Sequence, residues 1–181
     1  MATPPLPCAI CRIHADVALA SALEIARSDQ WLLRHHPLPA PLAGWLLLDA
    51  RRHLAGPLGF TDQEAASWGL AVRAASQLVQ RLCGCDRVYA IAFGEGAPHL
   101  HLHLIPRFAA EPASKAWSVA DLYRAVERGG RAPADPLAVA ALVAEGRKLL
   151  ASNPLQGTAV RHHEGSDCPA AVHDGCHPPH A

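Results

Sequence analysis

The chain has 181 residues, of which 50% are hydrophobic, and this is enough for one domain with a substantial core. Its 16 basic and 16 acidic side chains give a formal charge of zero, which argues against an extended basic face for nucleic acid or for an anionic membrane. The first residues lack a basic segment followed by an apolar one, and no stretch approaches roughly 18 uninterrupted apolar residues. We therefore expect a cytoplasmic protein with no membrane or nucleic-acid partner.

The six cysteines fall into three pairs along the sequence. Without a secretory segment, the spacing of Cys8 and Cys11 is more typical of half a metal site than of a disulfide. Cys83 and Cys85 close a predicted helix and are interpreted as free thiols. The third pair belongs to the histidine-rich C-terminal segment, to which we assign no defined site.

Most of the strand signal lies between residue 8 and about residue 108. The segment "HADVALASALEIARSD" is ambiguous, because its alanines favour a helix while "LEIAR" before a turn is typical of a strand. Short apolar runs follow in "WLLRHH" and "GWLLLDA". A further run, "RVYAIAFG", is separated by a glycine-containing loop from the histidine-containing run "HLHLHLI". This pattern predicts four or more antiparallel strands.

One long helix is predicted within this region, over "FTDQEAASWGLAVRAASQLVQRLCG". Thr61 and Glu64 have the spacing of a capping box, which marks where the helix begins. An apolar stripe at helical spacing comprises Trp68, Val72, Ala75, Val79 and Leu82. We expect the stripe to face the core, with Trp68 as a core residue.

Two further helices are predicted after Pro106. The segment "SVADLYRAVERGG" starts at a plausible cap, Ser118, and stops at a glycine pair, while Asp135 and Pro136 open a second helix. The predicted fold class is α+β: a mainly antiparallel sheet with one long helix packed on it, plus two C-terminal helices. We assign residues 1–112 to the main domain, residues 113–152 to a C-terminal helical extension of it, and residues 153–181 to a disordered tail rich in histidine, cysteine and proline.

Three histidines alternate with leucine in "PHLHLHLIPR". Successive side chains of a strand point to opposite faces, so His99, His101 and His103 are expected on one face and the leucines on the other, toward a core. Burying three imidazoles requires hydrogen-bond partners for their ring nitrogens, which disfavours a chance occurrence. The residues alone leave open a metal cluster or a nucleophilic histidine with an orienting neighbour.

The sequence resembles the histidine triad family of nucleotide hydrolases and transferases. "HLHLHLI" matches the family's His-x-His-x-His-x-x pattern with apolar residues at x, and "RVYAIAFG", "IPR" and "PLAGWLLLDARRH" look like the surrounding family segments. The resemblance covers roughly residues 8–108. It implies the family's fold, a small-molecule nucleotide as the ligand, and a homodimer formed through the helix and the sheet edge.

What the resemblance implies for chemistry centres on His101. In the family the middle histidine attacks the α-phosphorus of a nucleotide anhydride, ester or phosphoramidate, and water or another acceptor then cleaves the covalent nucleotidyl-histidine. His103 would support the leaving group or the phosphate, and Glu95 is a further catalytic candidate. The candidate substrate-binding residues are Arg107, His36, Gly94 and Gly96.

Two departures from the family pattern affect substrate recognition. The loop before the triad commonly reads Gly-Gln-Ser or Gly-Gln-Thr, whereas here Glu95 stands between two glycines. Because a carboxylate repels a polyphosphate, Glu95 is hypothesised to act as a proton donor or to favour a less anionic substrate, with a solvated loop residue as the alternative. Some relatives hold ribose hydroxyls with an acidic residue where this chain has Pro37, so we expect His35 or His36 to line the cleft instead.

The resemblance also implies a structural zinc ion. In the zinc-bearing branch of the family, a C-x-x-C near the amino terminus, a histidine after a basic pair and the first triad histidine bind one zinc. The matching residues here are Cys8, Cys11, His53 and His99. Four protein ligands form a closed set with no open position for water, which is typical of structural zinc.

Two alternative functions stay open at this point. One is a zinc-dependent hydrolase in which the three triad histidines bind a catalytic metal. The other is a zinc-stabilised module that binds a nucleotide without turning it over.

Overall fold

The computed structural model describes residues 8–151 and residue 155. In chain order its main elements are α1 (Ala9–Ala15), α2 (Val17–Leu23), β1 (Glu24–Arg27), β2 (Trp31–His35), β3 (Leu46–Ala50), α3 (Asp62–Cys83), β4 (Arg87–Ile91), β5 (His101–Arg107), α4 (Val119–Glu127) and α5 (Pro136–Ala151). Apart from residue 155, the predicted tail at 153–181 lies outside the described residues.

The five strands form one sheet in the order β1-β2-β3-β5-β4, and every neighbouring pair is antiparallel. The predicted α+β class, with an antiparallel sheet, one long helix and two C-terminal helices, is confirmed. The ambiguous alanine-rich segment contains both predicted structures, because α2 ends at Leu23 and β1 begins at the next residue. In the described part of the chain, no helix is long and apolar enough to cross a membrane.

The longest helix, α3, begins and ends where the sequence predicts. Thr61 and Glu64 form the expected capping box, each side chain bonding to the backbone N–H of the other residue. The helix ends at Cys83 and is capped by Gly84, whose positive φ of 60° places it in the left-handed region that glycine adopts at low cost. Of the predicted stripe, Ala75 and Val79 are buried, and Trp68, Val72 and Leu82 pack against the core.

The main core lies between one face of the sheet and helices α3 and α5. The triad leucines Leu100, Leu102 and Leu104 belong to it, as the alternation predicts, together with Val139 and Val143 of α5. Gly146 of α5 lies so close to β1 that a Cβ there would approach Ile25 to 3.1 Å. The helical extension is therefore tightly packed on the sheet edge.

The opposite face of the sheet, the polar face, carries charged and titratable groups beside a small apolar cluster of Trp45, Ile105 and Val119. Strand pairing aligns Arg34, Leu47 and His103 in one row across the sheet. Asp49 and His101 are partners in the adjacent row. Because strands lie about 4.8 Å apart, these charged and titratable groups are close neighbours.

One local expectation about the triad is corrected. The strand β5 begins at His101, so it carries His101 and His103, while His99 lies just before it. The N–H of Leu100 donates to the carbonyl of Leu54 at 2.7 Å, because the chain is still leaving the preceding loop at this point. Only after this residue does regular pairing with β3 begin.

Candidate active site and metal centre

His101 and His103 lie between two cavities on the polar face of the sheet. The loop cavity, of about 340 Å³, is lined by the segment Phe93–Gly96 and by α4. The α1 cavity, of about 400 Å³, is lined by α1, by Arg34 and by the segment after β2. Both cavities include His101, His103 and Tyr123 in their walls. The middle and last triad histidines can thus contact a ligand that spans the two cavities.

The hydrogen bonding of His101 fixes its neutral tautomer. Its Nδ1 lies 2.6 Å from the carbonyl oxygen of His99. A carbonyl can only accept, so Nδ1 carries the proton and Nε2 keeps its lone pair. The side chain is partly exposed, as a residue that meets a ligand must be. This arrangement leaves Nε2 as the ring atom that is free to act as a nucleophile or a ligand.

His103 is held in the opposite tautomer. Its Nδ1 accepts a hydrogen bond from the indole N–H of Trp45 at 2.9 Å, so Nε2 carries the proton of the neutral ring. Burial lowers the pKa of His103 to about 3, and the ring is therefore neutral near pH 7. His103 is suited to donate a hydrogen bond to an anionic oxygen rather than to take up a proton.

His36 is also neutral and oriented by the backbone. Its Nδ1 donates to the carbonyl of Pro37 at 2.7 Å, and burial lowers its pKa to about 4. The ring lies in the wall of the α1 cavity and contacts Tyr123 at 5.5 Å between centroids. Its neighbour His35 is fully buried and bonded through both nitrogens, to the His36 carbonyl and to the N–H of Gly44, so His35 is structural.

The glycine-containing loop reaches the site, but Arg107 does not. Gly94, Glu95 and Gly96 line the loop cavity, and Gly94 has a φ of 72° that favours glycine. Arg107 lies six residues beyond His101 along β5, roughly 20 Å at the rise of a strand. Its guanidinium donates to Ser114 at 3.1 Å, and neither cavity includes it. The substrate-binding role predicted for Arg107 has no geometric support.

A buried charge network lies beside His101. The carboxylate of Asp49, which is fully buried, accepts hydrogen bonds from Arg34 at 2.6 Å and from His14 of α1 at 2.8 Å. Burial opposes ionisation, but the charge of Arg34 and the two partners' hydrogen bonds outweigh it and hold the pKa of Asp49 below its usual value. The network ties α1 to the strand that neighbours β5.

The four predicted metal ligands converge at the amino-terminal end of α1. One ligand atom from each of Cys8, Cys11, His53 and His99 lies within 4.8 Å of every other. The Sγ of Cys11 is 3.4 Å from Nδ1 of both His53 and His99. Nε2 of His99 donates to the carbonyl of Ala50 at 2.7 Å, which leaves its Nδ1 lone pair directed to the sulfurs.

These residues fit a zinc ion in both chemistry and spacing. Zn–S bonds of about 2.3 Å and Zn–N bonds of about 2.05 Å in a tetrahedron place sulfur and nitrogen about 3.5 Å apart. The sulfur–nitrogen distances of 3.4 and 3.5 Å agree with that value. Two thiols and two imidazoles are also a common donor set for structural zinc.

The fold is that of histidine triad proteins. A HIT-like protein involved in cell-cycle regulation from Bartonella henselae matches with a TM-score of 0.58 and 12% identity, covering 82% of this chain and 98% of that one. A zinc-bound histidine triad family protein from Mycobacterium smegmatis matches with a TM-score of 0.55 and 18% identity, covering 81% of this chain and 96% of that one. A hypothetical histidine triad nucleotide-binding protein from Sulfolobus tokodaii matches with a TM-score of 0.50 and 14% identity, covering 71% of this chain and 85% of that one. No family model and no curated protein matches the sequence.

Several residues of the site were missed by the sequence prediction. Arg34 and Asp49 each interrupt an apolar run, in "WLLRHH" and "GWLLLDA", and opposite charges in two buried strands were the available signal for an ion pair. Tyr123 had no such signal, because its place in the cleft depends on how α4 packs. Trp45 belongs to the apolar run "GWLLLDA" and is fully buried, but its indole N–H also orients His103.

Proposed function

We propose that the protein is a nucleotide hydrolase or nucleotidyl transferase that uses Nε2 of His101 as its nucleophile. The observation that carries the proposal is the 2.6 Å hydrogen bond from Nδ1 of His101 to the His99 carbonyl, because it reserves Nε2 for the bond to phosphorus. The position of the ring between two cavities supports the same role, since one cavity can hold the nucleoside and the other the leaving group.

The reaction proceeds in two displacements at the α-phosphorus. Nε2 of His101 forms a bond to phosphorus while the bond to the leaving group breaks, and the departing atom takes its electron pair and a proton from solvent. Water then attacks the phosphorus and loses a proton to solvent, while the bond to Nε2 breaks and leaves its electron pair on the nitrogen, which restores the neutral imidazole. Splitting one displacement into two lowers each barrier. Nε2–H of His103 donates to a phosphoryl oxygen as its charge develops.

Neighbouring groups favour a phosphoramidate among the candidate substrates. Glu95 is an exposed residue in the wall of the loop cavity, and we assign this cavity to the leaving group. A carboxylate there repels a departing polyphosphate and attracts an amine. On the other side, Nε2 of His36 carries a lone pair that can accept a hydroxyl hydrogen from the nucleoside.

We also propose that Cys8, Cys11, His53 and His99 hold a structural zinc ion. When bound, zinc would supply a rigid four-ligand link and no open position for water. The ligands would clamp the start of α1 to the segment that enters β5. This proposal favours the nucleophilic role of the triad over catalytic metal binding, because His99 alone of the three histidines belongs to the Cys and His cluster.

The same proposal treats residues 113–152 as an extension of the domain formed by residues 1–112. Its support is the contact of α4 with the cleft, where Tyr123 lies against Trp45, and the close approach of α5 to β1. Homodimerisation is retained as a prediction from the resemblance.

The test compares the full-length protein with His101→Gln on adenosine 5′-phosphoramidate and a dinucleoside polyphosphate. We expect the phosphoramidate to be the better substrate, an acid-labile nucleotide adduct on the native protein, and a loss of turnover of about 10⁴-fold or more in the variant. His163→Gln, a matched substitution in the C-terminal segment, should behave like the native protein.

Three outcomes would contradict the proposal. Turnover that persists in His101→Gln would exclude that residue as the nucleophile. Turnover lost on chelation while the circular dichroism and unfolding curve are unchanged would favour a catalytic metal. Nucleotide binding with neither turnover nor adduct in the native protein would favour a binding module.

A further inference from the structure

Two large aromatic side chains in the wall of the loop cavity are only partly covered by the protein. Phe93 is 40% exposed and Tyr123 is 41% exposed. Phe93 contacts the ring of His103 with 4.9 Å between centroids, and Tyr123 contacts that of Trp45 with 6.3 Å. Since His103 and Trp45 also line the cavity, aromatic groups make up much of its wall. Uncovered aromatic surface is unfavourable in water, so a ligand that covers these rings would bind.

The same wall contains a negative charge that has no counter-charge in the protein. Apart from the histidines, the charged residues lining the cavity are Glu95 and Arg124. Arg124 already donates to the carboxylate of Asp121 at 2.8 Å. Glu95 is exposed and forms no ion pair with any residue that the structure describes. The carboxylate of Glu95 can therefore pair with a positive charge on a ligand.

Aromatic rings and a carboxylate together are suited to an organic ammonium ion. The face of an aromatic ring attracts a cation, and groups of such rings recognise quaternary ammonium ligands. A nearby carboxylate adds a Coulomb attraction. Burying a primary ammonium against the rings would leave some of its N–H groups without acceptors, which is unfavourable. A quaternary ammonium has no N–H group and presents methyl groups to the rings, so it fits this wall better.

The nitrogen that leaves the phosphorus is not this cation. In a phosphoramidate that nitrogen is bonded to phosphorus and is not permanently charged. Glu95 can therefore distinguish substrates before the reaction only through a second charge, elsewhere on the leaving group. The loop cavity has a volume of about 340 Å³ and includes both His101 and Glu95 in its wall, so one leaving group can reach both residues.

We propose that the loop cavity binds a quaternary ammonium group of the leaving group, against the rings of Phe93 and Tyr123 and beside the carboxylate of Glu95. The substrate class is then a nucleoside phosphoramidate whose amine carries an alkylammonium group. This inference rests on the proposed function for the reaction itself, but the ammonium site is testable without turnover.

Two small molecules of the same shape provide the binding test. Choline and 3,3-dimethylbutan-1-ol differ by the replacement of the charged nitrogen with carbon. Each is titrated into the full-length protein, and the amide chemical shifts of Gly94, Glu95 and Gly96 are followed. We expect the Kd of choline to be lower by about tenfold, because only choline gains the attraction to the rings and to the carboxylate.

Substitutions in the loop assign this preference to its residues. Glu95→Gln removes the charge and Phe93→Leu removes the ring, so the double variant should bind both molecules with about equal affinity. Both positions are exposed, and the unfolding curve should stay native. Glu145→Gln at an exposed position of α5, and Phe60→Leu at a ring packed on Trp31, are the matched controls and should keep the native ratio. A role of Glu95 as proton donor would leave this ratio unchanged.

A matched pair of substrates extends the test to the reaction. The leaving amines of two adenosine 5′-phosphoramidates are 2-(trimethylammonio)ethylamine and 3,3-dimethylbutylamine. Their different basicities affect the native protein and the variants alike, so the ratio of kcat/KM values is compared between proteins. We expect the advantage of the cationic substrate to fall by about tenfold in the double variant.

The outcomes separate this inference from the proposed function. Equal affinity of the native protein for choline and the alcohol, or a preference that the double variant retains, would overturn the inference even if both phosphoramidates are cleaved. A preference for choline that the double variant loses, without turnover of either phosphoramidate, would support the ammonium site and overturn the proposed reaction.

Discussion

His99 and His101 are two residues apart, yet backbone carbonyls hold their rings in opposite tautomers. His99 donates from Nε2 to Ala50, which leaves Nδ1 for the thiols of Cys8 and Cys11. His101 donates from Nδ1 to the carbonyl of His99 itself, which leaves Nε2 for the cleft. His99 is 1% exposed, whereas His101 is partly exposed and borders both cavities.

The difference between these two regions follows from where their acceptors lie. A histidine does not decide by itself which nitrogen is available, because the tautomer is set by the partner of the other nitrogen. In the metal cluster the partner is a carbonyl on the neighbouring strand. At His101 the partner is the carbonyl of His99, just before β5 begins, so the His99 backbone orients the ring that the proposed chemistry uses. The two regions can therefore be perturbed separately.

The largest expected effect comes from removing a ligand of the metal cluster. Cys11→Ser should lower the free energy of unfolding by on the order of 3–5 kcal/mol, because metal binding to a folded-state site contributes directly to stability. Denaturant unfolding and the bound zinc content measure this. Cys83→Ser changes a thiol outside the cluster and should retain the metal. Equal losses of stability in the two variants would show that the cluster does not stabilise the fold through a metal.

A smaller effect is expected from the buried histidines of the cleft as the pH falls. Burial lowers the pKa of His36 from 6.5 to about 4, so the unfolded chain binds protons more readily than the folded protein between these values. The stability that depends on neutral His36 is complete above about pH 6.5 and is lost as the pH falls toward 4. In this pH window, His36→Asn should reduce the slope of the free energy of unfolding against pH by about 1.4 kcal/mol per pH unit.

Denaturant unfolding at a series of pH values, with the bound metal measured in each sample, checks this expectation. His103, with a pKa of about 3, takes up its proton mostly below this window, so the difference between native and variant reports mainly on His36. Identical slopes would mean that His36 is not buried in its neutral form.

The smallest predicted effect tests how His103 is oriented. Trp45→Phe removes the N–H that donates to Nδ1 of His103. We expect kcat to fall by about tenfold with little change in KM, because the variant loses one hydrogen bond that orients the ring. The nitrogen chemical shifts of His103 should report a mixture of tautomers. Trp31→Phe is a matched control, because Trp31 is equally buried but donates to Ser67 on the other side of the sheet. If both variants lose kcat equally, the effect is one of packing alone.

The sequence predicted the parts of the site that depend on local patterns. Alternation in the triad, the C-x-x-C spacing and the capping box each follow from strand or helix geometry. The convergence of Cys8 and Cys11 with His53 and His99 was predicted only through the family resemblance. These residues are far apart in the sequence, so no local pattern indicates that they meet.

The missed parts depend on packing between distant segments. Arg34 and Asp49 could be seen as anomalies in apolar strands, but their pairing with His14 requires the position of α1 on the sheet. Arg107 was predicted from its nearness in sequence to the triad, and the length of β5 carries it away from the cleft. Tyr123 enters the site only through the placement of α4.

The seven-residue helix α1 makes three connections at once. Cys11 joins the metal cluster, Ile10 and Ile13 form part of the α1 cavity, and His14 bonds to Asp49. Oxidation of the Cys11 thiol would thus disturb one wall of the α1 cavity and leave His101 and His103 in place. If the proposed zinc site is correct, metal supply and redox state bear on the shape of that cavity.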